Sequence, residues 1–113
     1  MKASQRCKSS NLYRPHGGRN MICEFCTYDV KQNKQDEFEV LIQELIEYCR
    51  RSERIDEGSC ARKGTSGTLT YVLHITRKEE GPDVISQVHE KYGRRFTRCL
   101  DGEPRVIVGS MIA

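Results

Sequence analysis

The chain has 113 residues, 36% of them hydrophobic and none a tryptophan, which suits one domain with a modest core. No run approaches the roughly 18 apolar residues of a membrane span. The opening MKASQRCKSS lacks the apolar stretch of a secretory signal. The expectation is therefore an intracellular protein, cytoplasmic or nuclear and not secreted, with no membrane partner. Six cysteines in such a compartment read as metal ligands, core residues or plain thiols rather than disulfides. The net charge of +3 hides a block pattern. Residues 1–35 carry seven Lys/Arg against two Asp/Glu, residues 36–57 three against eight, and residues 58–113 nine against six. An acidic segment thus lies between two basic ones, which allows either self-complementary packing or a surface for an anionic partner.

Residues 1–18 are basic and polar, broken by Pro15 and Gly17-Gly18, with too few apolar side chains to offset the entropy of ordering. They read as a flexible basic N-terminal arm, and residues 19–113 as a single α+β domain. MICEFCTYDV is a short strand or a knuckle holding Cys23 and Cys26. The clearest element follows. Over 36–52, Phe38, Leu41, Ile42, Leu45, Ile46 and Cys49 recur on one stripe of a 3.6-residue period. Asp36, Glu37 and Glu39 crowd the first turn and Arg50 and Arg51 the last, so both ends complement the helix dipole.

The stretch 53–67 is rich in turn residues and reads as exposed. TLTYVLHIT, 68–76, alternates Leu69, Tyr71, Leu73 and Ile75 against Thr70, Val72 and His74, and its second face is apolar enough for a central strand. Gly81-Pro82-Asp83 opens a second helix with Ile85, Val88, His89 and Tyr92 inward, and Gly93 is placed to close it in the left-handed conformation. Residues 95–100 and 104–111 then read as two strands joined at Asp101-Gly102. The fold class is α+β, a small antiparallel sheet with two amphipathic helices packed on one face.

Cys23-x-x-Cys26 has the spacing of a zinc knuckle, and zinc wants four ligands. Cys7 and His16 complete the set locally; Cys49 with Cys60, or His74 with His89, would complete it from afar. Zinc is accordingly the expected cofactor. A thioredoxin-type role lacks the helix start that lowers a cysteine's pKa. Gly64-Thr65-Ser66-Gly67 is too short for a phosphate loop and lacks its lysine. No nucleophile elbow accompanies any Cys or His, so no enzyme and no small-molecule substrate are expected.

The second cluster is Lys91, Arg94, Arg95, Phe96, Arg98 and Arg105, joined by Lys8, Arg14 and Arg19 from the arm. Arginines beside an aromatic on a sheet combine phosphate contact with base stacking. The functional expectation is a non-enzymatic, regulatory nucleic-acid-binding protein, RNA favoured over DNA because no helix-turn-helix or zinc-finger spacing is present. The alternative is a protein–protein adaptor that dimerises through the apolar stripe of the acidic helix; a homodimer is allowed for in either case.

Overall fold

The computed structural model describes residues 21–63 and 69–112. The arm of residues 1–18 lies outside them, as do Gly64-Thr65-Ser66-Gly67. Strand β1 (Met21–Asp29) leads through a 3-10 turn (Gln32–Lys34) into helix α1 (Gln35–Arg50). Strands β2 (Ile55–Lys63) and β3 (Thr70–Lys78) follow, then helices α2 (Val84–Lys91) and α3 (Gly93–Cys99), and last strand β4 (Arg105–Ser110). The sheet order is β2-β3-β1-β4, with every pair antiparallel. This β-α-β-β-α-β course with the first strand inside the sheet is the ferredoxin-like arrangement.

The α+β expectation holds, and the helices share one sheet face. Period-2 alternation explains how the two faces divide. On β1, Glu24, Cys26 and Tyr28 are buried toward the helices, while Cys23, Phe25 and Thr27 face the open side. On β3, Tyr71, Leu73, Ile75 and Arg77 do the same. The stripe of α1 supplies Phe38, Leu41, Ile42, Leu45 and Cys49 to the core, with Ile46 packed at its margin. That stripe is spent on the sheet. It cannot also pair across a two-fold axis, so the adaptor reading is corrected.

β3 is central, as its two apolar faces imply. β2 replaces the expected exposed turn region: the stretch is exposed, but it pairs with β3 and is kinked by a register shift between Ile55 and Glu57. Its charges and its bulge blunt that edge. The expected strand 95–100 is also corrected, because 93–99 is helical. Tyr92, Phe96, Cys99 and Leu100 recur at helical spacing as well as Phe96 and Leu100 do at strand spacing, and the core lies on the helical side. β4 therefore pairs with β1 rather than with a hairpin partner. Gly93 begins α3 instead of closing α2 with a positive φ; the positive values belong to Gly81 and Gly102. At Gly81 the Arg54 guanidinium lies 2.7 Å from where a Cβ would stand, and its side chain donates to the carbonyls of Glu80 and Pro82.

Candidate functional site

The fully buried row of β1 is unusual in being polar at each position: Glu24, Cys26 and Tyr28. Helix α2 lies over this strand and brings His89 down onto it. The Tyr28 hydroxyl and His89 Nε2 share a hydrogen bond of 2.6 Å, and Cys26 Sγ stands 4.0 Å from the same nitrogen. Phe96, from α3, stacks on Tyr28 with ring centres 5.2 Å apart and meets His89 edge-on at 4.8 Å. Phe38 closes the far side of the tyrosine at 5.3 Å. Two aromatic faces thus fix the phenol, and the phenol fixes the imidazole.

Electrostatics follow from this burial. Removal from water raises the Tyr28 phenol well above its ordinary value and keeps it protonated. It lowers His89, so the imidazole is neutral at pH 7. It pushes the Cys26 thiol up to about 11, against a smaller opposing effect from its hydrogen bond to Tyr28. Cys26 is a thiol here, not a thiolate.

The cluster does not end in solid core. Register places Val106 opposite Cys26 and Val108 opposite Glu24, so both valines lie on the helix side of the sheet. They remain 46% and 41% exposed, since α2 covers β1 and leaves β4 bare among the described residues. His89 is partly exposed. A shelf of apolar strand therefore runs up to a neutral imidazole backed by a buried phenol. An exposed apolar strip beside a few convergent polar groups suits a small ligand.

The residues expected from the sequence fall elsewhere. Cys7, Lys8, Arg14, His16 and Arg19 lie outside the described residues. Cys23 and Cys26 stand three apart on a regular strand and so point to opposite faces, Cys26 into the core and Cys23 to the open side. One ion cannot take both. The described residues hold no group of three or more His, Cys, Asp or Glu placed for a metal, and the zinc expectation is corrected.

The arginine cluster is dispersed. Arg95 makes a two-pronged pair with Glu44 at 2.7 and 3.0 Å, Arg98 donates to Glu37 at 2.7 Å, and Arg105 donates to Asp29 at 2.8 Å. These hydrogen bonds hold the Glu37, Glu44 and Asp29 carboxyls below their usual range. The charge blocks of the sequence thus pair largely with one another. Phe96 is 4% exposed and offers no face for base stacking. Arg94 is exposed, and Lys91 lies over the rings of Tyr48 and Tyr92 at 5.2 and 5.7 Å, on the outer helix surface.

No described protein family matches the chain, and no curated protein is similar enough to count as a relative. Solved structures do resemble it. A proposed antibiotic biosynthesis monooxygenase from Nitrosomonas europaea superposes with a TM-score of 0.70 at 12% identity, covering 89% of this chain and 96% of that one. Another protein given that proposed activity, from Bordetella bronchiseptica, gives 0.67 at 14% identity, with 83% and 99% covered. A conserved protein from Methanosarcina mazei Go1 gives 0.68 at 20% identity, with 80% and 91% covered. At these identities the likeness shows the fold. The arginines spent on Glu44, Glu37 and Asp29, with Phe96 buried, overturn the nucleic-acid expectation.

Proposed function

We propose that the chain binds a small, largely apolar molecule carrying an ionisable hydroxyl or enol, on the shelf between β4 and helices α2 and α3, and acts on it in an enzyme-like way. The observation that carries this reading is the 2.6 Å Tyr28–His89 hydrogen bond at the edge of an uncovered apolar strand. The names of the structural neighbours support an oxygen-inserting role, monooxygenation, as the reaction class.

In this reading Nε2 is engaged by Tyr28 and Nδ1 meets the ligand. A neutral imidazole is the form that accepts a proton: the ligand's O–H bond breaks, the proton passes to His89, and the electron pair remains on the ligand oxygen. An electron-rich anion of this kind is what reaction with molecular oxygen needs. Tyr28 holds the ring at one angle, and Val106 and Val108 give the ligand's carbon skeleton its apolar bed.

The same reading includes a second copy of the chain as partner. The centre of the open sheet face, Phe25, Val72, His74 and Ile107, is uncharged, while Asp29, Glu57, Lys63, Lys78 and Arg105 stand at its margins. Phe25 and His74 stack there at 4.7 Å, and Ile107 is 69% exposed. An uncharged centre inside a charged rim is the anatomy of an interface.

Aerobic incubation with a panel of neutral hydroxylated aromatics, followed by mass spectrometry, tests the activity. The reading expects, with the native chain, a product that has gained one oxygen atom and lost two hydrogen atoms, the substrate itself supplying the electrons and the second oxygen atom of O2 leaving as water, and none with His89→Ala. Conversion that survives His89→Ala, or no conversion and no binding across the panel, would refute it.

A further inference from the structure

Helix α2 has an N-cap, Asp83, whose side chain makes no capping hydrogen bond. Its first free N–H groups are satisfied from another element. Glu24, fully buried on β1, accepts from the backbone N–H of Val84 through Oε2 and of Ile85 through Oε1, both at 2.7 Å. Arg77, 3% exposed, pairs with the same carboxylate and also donates to Asp83 at 2.7 Å and to the carbonyls of Lys78 and Glu79. A buried carboxylate is thus held by two backbone donors, the positive end of a helix and a guanidinium.

Its position relative to the site is what matters. Glu24 and Tyr28 are four apart on β1, on one face of the strand. Ile85 and His89 are four apart on α2, on one face of the helix. The strand therefore grips the helix at two points one turn apart: Glu24 on the Ile85 amide and Tyr28 on the His89 ring. A register shift of α2 by a single residue, about 1.5 Å along its axis with a turn of about 100° around it, would swing His89 away from Tyr28.

We propose that Glu24 is a positioning residue that sets the register of α2 on β1 and thereby the alignment of His89 with Tyr28. The proposal rests on the functional reading only in its consequence for ligand binding; its structural half stands apart from it. Arg77 keeps the carboxylate buried without touching the helix amides, and Asp83 shares Arg77 but makes no contact with His89 through those amides. The two acids therefore separate positioning from general electrostatics.

The test is the imidazole nitrogen signature of His89 by NMR in four chains: native, Tyr28→Phe, Glu24→Gln and Asp83→Asn. Tyr28→Phe gives the reference for a ring that has lost its partner. Glu24→Gln is expected to move the Nε2 resonance toward that reference, because an amide can accept from one helix N–H while its own NH2 repels the other. Asp83→Asn is expected to leave it at the native position. Should Glu24→Gln fail to fold, the neutral double variant Glu24→Gln/Arg77→Met removes the buried charges together and is expected to give the same displacement. A native His89 signature in a folded Glu24 variant overturns the proposal, as does an equal shift in Asp83→Asn. Affinity for any ligand found by the panel above should fall roughly two- to tenfold in Glu24→Gln, the worth of one hydrogen bond. Displacement of His89 without a ligand for any chain would leave positioning upheld and the functional reading refuted.

Discussion

The Tyr28 hydroxyl lies 2.6 Å from His89 Nε2, although the two residues are 61 positions apart in the chain. Burial drives their ionisation apart, the phenol upward and the imidazole downward, so that both are neutral in the range where the pair would work. Tyr28→Phe keeps the ring, its stacking on Phe96 and nearly all the packing, and removes the hydroxyl alone. It is expected to lower ligand affinity or turnover about tenfold or more with little change in Tm. Calorimetry paired with the activity assay checks this, and an unchanged turnover would show that the tyrosine does not orient the imidazole.

The lowered His89 value gives a stability prediction with a definite sign. Between the depressed native value and the ordinary 6.5, the unfolded chain binds a proton that the native chain does not. Stability therefore rises with pH in that window and is lost as pH falls through about 6.5. Thermal melts from pH 8 to pH 5.5 should show this loss, and His89→Gln should remove that part of the dependence. A parallel decline in both chains would assign it to other groups.

Cysteine labelling tests the strand face assignments. Cys26 and Cys49 are fully buried and their thiols are pushed up to about 11, whereas Cys23 lies partly exposed on the open face. A neutral-pH alkylating reagent should modify Cys23 well before Cys26 or Cys49 in the native protein. Peptide mapping reads the order. Equal rates for Cys23 and Cys26 would mean that the alternation of β1 is misassigned.

Leu45 is completely buried beneath the sheet. Leu45→Ala should cost about 2–5 kcal/mol through lost transfer energy and the cavity left behind. Denaturant unfolding measures it, and a loss below about 1 kcal/mol would put the α1 stripe outside the core.

These elements differ in how far the sequence reveals them. The α1 stripe and the alternation of β3 are strong because many apolar residues repeat one period, and both appear in the structure within two residues of their expected bounds. The segment 93–99 is misread because Phe96 and Leu100 satisfy both periods, and only the preceding helix decides between them. The arginines look available for phosphate because each lies far in sequence from its acid; Arg95 and Glu44 are 51 residues apart and Arg98 and Glu37 are 61. His89 is legible as an inward residue of α2, yet its partner is not. The overlooked signal is in β1, where Glu24, Cys26 and Tyr28 place hydrogen-bonding groups at every fully buried position of a strand that should bury hydrocarbon. A buried row of that kind implies partners elsewhere: here the α2 amides and Arg77 for Glu24, and His89 for Tyr28.

The most direct test of the ligand shelf is an NMR titration of the native chain with neutral hydroxylated aromatics, following backbone amides and the His89 ring. Saturable shifts centred on His89, Phe96, Val106 and Val108, lost in His89→Ala, are the predicted result. Saturable shifts confined to the outer helix surface or the open sheet face, with His89 unmoved, would contradict it.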